Sequence, residues 1–205
     1  TSTSCIAACA AGLGPGAAPV TRRTITESWN GTSWTEVGDV NVGRIHCTNA
    51  GTATAALIAT GETVPDYVTS SEEWNGTSWT EGNDMNAGRN MGNGCGTQTA
   101  ALAVGGKPPN PGLAVEHYDG SSWTESTDVN SRGAYAGQSG IQTSALFFFR
   151  QGEPPTTLLL LTEEWDGTSW TEVADGSAAR TSGGGAGSSS GAVFSGGTDT
   201  GGASN

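Results

Sequence analysis

The sequence predicts an all-β protein built from one repeated unit, and two observations support this prediction. A ten-residue motif occurs four times, as "ESWNGTSWTE", "EEWNGTSWTE", "EHYDGSSWTE" and "EEWDGTSWTE", and its first aromatic residues are spaced 45, 44 and 47 residues apart. Twenty-eight residues after each of them stands an apolar residue in a matching segment, namely Leu57, Leu102, Leu146 and Val193. No segment shows an apolar period of about 3.6 residues, and the 33 glycines disfavour helices.

Each copy of the motif is typical of a tight β-hairpin. Asn-Gly and Asp-Gly between short runs rich in Thr, Ser and aromatic residues are the strongest local indication of such a turn. Glycine supplies the positive φ that the turn needs without a Cβ clash. The turn predicts cross-strand aromatic pairs, which we expect to be scaffold because packing must be solved in every unit. These pairs are Trp29 with Trp34, Trp74 with Trp79, Tyr118 with Trp123, and Trp165 with Trp170.

The full unit contains a glycine-rich strand, an apolar strand that ends in Gly-Gly, a loop and the aromatic hairpin. Four strands in about 45 residues is the period of a propeller blade. We therefore predict a single β-propeller domain with repeats at approximately 1–43, 44–88, 89–131 and 132–179 and a partial repeat at 180–205. A weaker fifth copy, "SCIAACAAG", covers Ser4 to Gly12. The chain could form four to five blades closed by strands from both ends, or an arc of a larger ring.

Charged residues recur at fixed positions of the unit. An arginine follows the second aromatic residue by 10, 10, 9 and 10 positions, and a glutamate precedes the first by two. One arginine per unit at constant spacing indicates hydrogen bonds to carboxylates and carbonyls within or between blades. The arginines are Arg44, Arg89, Arg132 and Arg180, and the other cations, Arg22, Arg23, Arg150 and Lys107, are expected to be free.

The order Gly-Gly, variable loop, Glu-x-aromatic-(Asn/Asp)-Gly, Trp and Arg resembles the kelch repeat. The wording "EEWNGTSWTE…AGR…GTQTAALAVGG" is still more similar to a kelch-like repeat of predicted structural proteins of marine bacteriophages, especially cyanophages. The resemblance implies a non-enzymatic virion component, such as an appendage, tail-fibre or capsid-surface domain, that serves adhesion or assembly. Its partners would be other virion proteins or copies of itself, with host-surface glycans as a further possibility. A carbohydrate-binding, lectin-like receptor module is the alternative, and a secreted enzyme of the galactose-oxidase type is the third.

Composition argues against several other functions. The net charge is −12 with a single lysine, which disfavours nucleic acid as a partner. No apolar run approaches the roughly 20 residues of a spanning helix, so no membrane insertion is expected. The two histidines and four cysteines match no metal-ligand spacing, so we expect no metal, cofactor or catalytic residues. The cysteines, Cys5, Cys9, Cys47 and Cys95, are expected to be buried free thiols, and Thr1 is not expected to be the start of the gene product.

The loops after Gly-Gly differ from one unit to the next, whereas the hairpin turns are uniform. They include "ETVPDYVTS", "KPPNPGLAV" and "EPPTTLLLL". Because all of these loops leave one face of a four-stranded meander, we expect that face to meet a partner, although neutral loop drift explains the variation equally well. The candidate contacts are Pro108, Pro109, Pro111, Pro154, Pro155, Leu158, Leu159, Leu160 and Leu161. Alternate leucines point to opposite faces of a strand, so one pair would contact a second chain unless a thicker blade interface absorbs them.

Overall fold

The protein is described by a computed structural model covering residues 4–9, 11–13, 20–63, 66–90, 92–107, 112–152, 157–199 and 202–203. Every regular element in these ranges is a β-strand, and all strand pairs are antiparallel. The all-β prediction is therefore confirmed. No helix long and apolar enough to cross a membrane occurs in the described ranges.

The strands form five successive sheets along the chain. Sheet 1 contains β1 (Cys5–Ala7), β4 (Thr26–Trp29) and β5 (Trp34–Val37), with the small hairpin β2 (Ala11–Leu13) and β3 (Val20–Arg22) inserted between the first two. Sheet 2 contains β6 (Thr48–Thr52), β7 (Ala55–Ala59), β8 (Ser71–Trp74) and β9 (Trp79–Glu81). Sheet 3 contains β10 (Asn93–Thr97), β11 (Ala100–Val104), β12 (Val115–Tyr118) and β13 (Trp123–Glu125). Sheet 4 contains β14 (Gly137–Ile141), β15 (Ser144–Gln151), β16 (Leu158–Trp165) and β17 (Trp170–Val173). Sheet 5 contains β18 (Gly184–Ser188) and β19 (Gly191–Ser195), followed by the short hairpin β20 (Thr198–Asp199) and β21 (Gly202–Ala203).

Sheets 2, 3 and 4 have the four-stranded order expected from the sequence, with neighbours in the chain paired as neighbours in the sheet. One sheet lies within each of the repeat ranges given above. The weak N-terminal copy supplies β1, which pairs with β4 as β7 pairs with β8. Sheet 1 therefore lacks the glycine-rich first strand that the three complete sheets have, among the described residues.

Two glycine positions explain why the turns recur. In the aromatic hairpins the turn glycine has φ between 93° and 98° in all four copies, and the preceding Asn or Asp accepts two backbone N–H groups through Oδ1. The turn from first to second strand has a glycine at φ 103° (Gly51), where an added Cβ would lie 2.2 Å from the Ala55 carbonyl oxygen. The tight turns therefore admit no other residue at Gly51 without a backbone shift.

Neighbouring sheets pack face to face. The glycine-rich strands β6, β10, β14 and β18 lie side by side in that order. Their lack of side chains allows this approach, since a Cβ on Gly94 would lie 2.3 Å from the Asn49 carbonyl oxygen. Apolar clusters fill the space between sheets, for example Leu57 and Ala59 of sheet 2 against Tyr118 and Trp123 of sheet 3.

The two outer sheets have faces that no other sheet covers. Trp34 of sheet 1 is 49% exposed, whereas Trp79, Trp123 and Trp170 at the same position of later sheets are 6% exposed. Val193 of sheet 5 is 67% exposed, whereas the equivalent Leu57 is buried. The described part of the chain therefore shows an array of stacked sheets but no closed ring.

A disulfide joins Cys9, just after β1, to Cys47, just before β6, with a Cα–Cα distance of 6.4 Å. The expectation of free thiols is wrong for this pair, because packing of sheet 1 on sheet 2 brings together residues that lie 38 positions apart. Cys5 and Cys95 are free, as expected, but only Cys95 is buried, whereas Cys5 is half-buried.

Candidate binding face

Each complete sheet contains a buried glutamate surrounded by hydrogen-bond donors, which we call the carboxylate cage. In sheet 2 the Glu72 carboxylate accepts the Asn41 backbone N–H at 2.7 Å, the Asn41 side-chain amide at 2.8 Å and the Val42 N–H at 3.2 Å. The Arg44 guanidinium completes the cage with an ion pair to Glu72 at 2.7 Å. Burial lowers the pKa of Arg44, and the adjacent Glu72 carboxylate opposes that shift. The donors come from the segment that leaves the preceding sheet, so the cage joins two sheets.

The same cage recurs in the next two sheets. In sheet 3, Glu116 accepts hydrogen bonds from Asn86 and forms an ion pair with Arg89. In sheet 4, Glu163 accepts hydrogen bonds from Asn130 and forms an ion pair with Arg150. A fully desolvated pair is tolerated only because each carboxylate accepts hydrogen bonds from several donors.

The structure corrects the assignments of Arg132 and Arg150. Arg132 is exposed, and it is Arg150, expected to be a free cation, that is fully buried against Glu163. Gly133, not Arg132, stands at the position that Arg44 and Arg89 occupy, ten residues after the second aromatic residue. The error arose because an arginine one position out of frame was accepted as equivalent.

The remaining predicted structural residues fall into three groups. The aromatic pairs face each other across the hairpins as expected, with ring centroids 4.9–5.6 Å apart. Arg180 has no glutamate partner among the described residues and lies over the rings of Phe149 and Phe194, with centroid distances of 5.7 and 5.6 Å. Leu158 to Leu161 lie on β16 and are each half-buried, and the five candidate prolines lie outside the described residues.

At the end of the sheets opposite the aromatic turns lies what we call the loop face, where the second strand of each sheet connects to the third. Seven side chains gather there from three successive sheets and the β2–β3 hairpin, and we call them the loop-face cluster. They are Arg22, His46, Glu62, Tyr67, Asn90, Lys107 and Tyr135.

Glu62 and Tyr135 hold the loop-face cluster together. Glu62 forms an ion pair with Arg22 and accepts a hydrogen bond from the Asn90 side-chain amide at 3.2 Å. The Tyr135 ring meets the His46 ring edge-to-face, with centroids 6.2 Å apart, and the Lys107 ammonium lies 5.0 Å from the Tyr135 ring centroid. These contacts combine aromatic surface, a carboxylate and a cation on one accessible face.

Electrostatics link the members of this cluster. Partial desolvation lowers the pKa of the accessible His46 side chain, Glu62 opposes that shift, and Arg22 and Lys107 add to it. Burial also raises the pKa of Tyr135, with smaller contributions from Glu62 and Tyr67. The neutral imidazole and the neutral phenol are therefore favoured, and both can donate or accept hydrogen bonds.

His46 and Tyr135 stand in a backbone conformation that side chains of their size rarely adopt. Their φ values are 57° and 53°, and Ser182 at the equivalent position of sheet 5 has φ 63°. The Tyr135 backbone is fixed there, since its carbonyl accepts the Ser182 N–H and the Thr181 hydroxyl, each at 2.9 Å. This position was not among the site residues predicted from the sequence, although the residue there differs from one unit to the next.

The inner strands of the array line a cavity of about 810 Å³. Its walls come from β1, β6, β10, β14 and β18, and include the disulfide and Cys95. Cys95 accepts a hydrogen bond from the Gln138 side-chain amide at 3.1 Å. Among the described residues, no three His, Cys, Asp or Glu side chains lie close enough together to hold a metal ion.

No protein-family model and no curated protein sequence matches this chain.

Proposed function

We propose that this protein is a non-enzymatic adhesion or assembly module of the kelch-like β-propeller type, and that its loop face is the binding surface. The observation behind the proposal is the contrast between the two ends of the sheets. The aromatic turns have the same geometry in all four copies. Equivalent loop-face positions differ in chemistry. Two places after the position of Arg44 the sequence has His46, Tyr135 or Ser182 in three of the units, and the glycine just beyond the second strand is followed by Glu62 in one sheet and Lys107 in the next. Variation of accessible residues on a constant scaffold is typical of binding surfaces.

The carboxylate cages support the non-enzymatic part of the proposal. A repeated arginine and glutamate would be the first candidates for acid–base chemistry in this chain. Glu72, Glu116 and Glu163 are instead buried and held by backbone donors and guanidinium groups. Their oxygens have no access to a substrate, so their role is to join sheets.

Three observations support the propeller and its partners. Stacking of the glycine-rich strands around one cavity is the arrangement that a propeller requires. The resemblance in the sequence favours a virion surface as the location, with other virion proteins or further copies of this chain as partners. The half-buried leucines of β16 suit a contact at the rim of sheet 4.

A carbohydrate-binding receptor module is the second candidate, favoured by the rings of the loop-face cluster. Tyr67 is 40% exposed, and His46 is also exposed. Amphipathic rings beside hydrogen-bonding groups form surfaces suited to sugars.

Binding of the fluorescently labelled full chain to intact cyanobacterial cells, measured by flow cytometry, tests the proposal. Glu62→Ala, which breaks the contacts with Arg22 and Asn90, should weaken binding about tenfold or more. Thr77→Ala in an aromatic turn at the opposite end is the matched control and should bind like the parent. Equal losses in both variants, or no binding by the parent chain, would contradict adhesion through the loop face.

A further inference from the structure

We propose that the loop-face cluster binds a carboxylate-bearing saccharide, with Lys107 as the residue that meets the carboxylate and the Tyr135 and His46 rings as the platform for the sugar. This inference rests on the proposed function, since it assigns a ligand class to the same face. It rests on the placement of cations, on the ring geometry, on backbone strain and on the pairing of the surrounding backbone.

The accessible cations of this acidic protein concentrate at the loop face. Of the eight Lys and Arg residues, three are buried in the carboxylate cages. Arg22 ends β3 at this end and Arg23 follows it, Lys107 lies in the loop after β11, and Arg132 lies beside Gly112 of that loop. An anion repelled by the net charge of −12 would meet these local cations here.

Lys107 is the cation best placed for an incoming anion. No Asp or Glu oxygen of the described residues lies within 4.0 Å of its ammonium group, whereas Arg22 is already paired with Glu62. The Lys107 ammonium lies 5.0 Å from the Tyr135 ring centroid in a cation–π contact, and an ammonium group has three N–H donors.

The rings beside Lys107 suit a pyranose. A sugar ring has an apolar C–H face and a rim of hydroxyl groups, so it requires an aromatic surface together with donors and acceptors. Tyr135 and His46 meet edge-to-face and present such a surface. The Glu62 side chain is 26% exposed and can accept a hydroxyl proton at the rim.

Positive φ recurs at this position in sheets 2, 4 and 5, and two of these sheets place a ring there. Positive φ at a residue other than glycine costs of the order of 1–3 kcal/mol, and glycine at His46 or Tyr135 would relieve it. Serine occupies the equivalent position of sheet 5, so the fold does not require a ring there. Strained side chains of this kind cluster at binding sites.

The backbone around the cluster disfavours a peptide ligand that adds a strand. Ile45 pairs with Glu62, Asn90 with Lys107, and Ala134 with Gln151, so these segments already have partners. Because these described segments are already paired, a peptide docked on them would lose the main-chain hydrogen bonds on which β-augmentation depends.

Isothermal titration of the full chain with oligosaccharides of uronic acids tests the inference. We expect binding of the acidic oligosaccharide, at least tenfold weaker binding of the same oligosaccharide with methyl-esterified carboxylates, and none of acetate. Added salt should weaken the acidic ligand more than the ester.

Three variants locate the site. Lys107→Ala should reduce affinity for the acidic oligosaccharide about tenfold while leaving the ester unchanged, and Lys107→Arg should retain most of it. Tyr135→Gly should weaken both ligands without lowering the melting temperature, because glycine accepts the positive φ. Ser182→Gly makes the same backbone change in sheet 5 and is the control.

The outcomes separate this inference from the proposed function. Equal affinity for acid and ester, or an acidic peptide that binds with the same dependence on Lys107 and Tyr135, would overturn the saccharide assignment. If no saccharide binds but Glu62→Ala still abolishes attachment to cells, the loop face remains the binding surface and only the ligand class is wrong. If Ser182→Gly weakens the acidic ligand as much as Tyr135→Gly, the cluster is not the site.

Discussion

At the scale of single residues, the cage in sheet 4 shows that a buried ion pair can be kept while its arginine exchanges places with a glycine. Arg150 stands four positions after Leu146, where Gly61 and Gly106 stand in the other sheets, and Gly133 stands where they have arginine. The pairing of β15 with β16 shifts between Phe148 and Arg150, and Arg150 avoids the positive φ of 108° and 117° that Gly61 and Gly106 adopt. The Arg150 guanidinium therefore reaches Glu163, the equivalent glutamate, from β15 and not from the segment before the first strand. Of positions 133 and 150, only one has room for a side chain.

This exchange predicts a strongly coupled pair of mutations in sheet 4. Arg150→Gly should destabilise the protein by about 3–5 kcal/mol, because it leaves Glu163 buried and unpaired. Gly133→Arg alone should also destabilise it, because a Cβ at Gly133 would lie 2.6 Å from the Arg150 Cβ. The double variant should recover at least half of the loss. Urea denaturation of the four proteins measures the coupling, and additive effects would contradict the exchange.

At the scale of elements, the aromatic hairpin owes its stabilising effect to the sheet beneath it. The Trp79 indole N–H donates to the Thr26 hydroxyl of sheet 1 at 3.0 Å, and the Trp170 indole N–H donates to the Thr127 carbonyl at 3.1 Å. Trp34 forms the same hairpin pair with Trp29, but no preceding sheet covers it. The same hairpin motif is therefore covered by a preceding sheet in sheets 2 and 4 but not in sheet 1.

Alanine substitution should separate hairpin pairing from packing between sheets. Trp79→Ala should cost about 3–5 kcal/mol, since it empties a core site and leaves Thr26 without its donor. Trp34→Ala removes an equal cross-strand pair at an exposed site and should cost no more than about 1 kcal/mol. Thermal unfolding by circular dichroism measures both, and equal losses would show that the pair within the hairpin is the main contribution.

The sequence predicted the elements well because each one is specified locally. The Asn-Gly and Asp-Gly turns, the pairing of Trp74 with Trp79 and the four-strand order follow from residues only a few positions apart. The cage of Glu163 could not be predicted, because it depends on a guanidinium that arrives from another strand. The loop-face cluster was missed for the same reason, since its members come from segments up to 113 residues apart. One sequence indication of the exchange was that Gly133, and not Arg132, aligns exactly with Arg44.

At the scale of the whole molecule, the first sheet is attached to the array by a covalent bond as well as by packing. The disulfide between Cys9 and Cys47 spans the boundary of sheets 1 and 2. Cys95 lies deeper, between sheets 3 and 4, and burial raises the pKa of its thiol to about 12, which the hydrogen bond from Gln138 only partly offsets.

The thiols should therefore differ sharply in reactivity. At pH 8, roughly one Cys95 in ten thousand would be a thiolate, so Cys95 should resist a thiol reagent until the protein unfolds. Because its pKa is raised, Cys95 should react more slowly than an ordinary thiol at every pH below about 12. Mass spectrometry after alkylation at pH 8 should find the label on Cys5 alone. Label on Cys95 in the folded chain, or on Cys9 and Cys47 without a reductant, would contradict this arrangement.

The exposure of Trp34 gives the protein an intrinsic optical probe at one end of the array. The chain has seven tryptophans, and the five in sheets 2, 3 and 4 are almost completely buried. A collisional quencher such as acrylamide should therefore act first on sheet 1, with Trp34 emitting at longer wavelength than the buried indoles. Any molecule that covers this sheet, whether another protein or a further copy of the chain, would protect that emission and shift it to shorter wavelength. Contacts at this end could thus be followed in solution without a label.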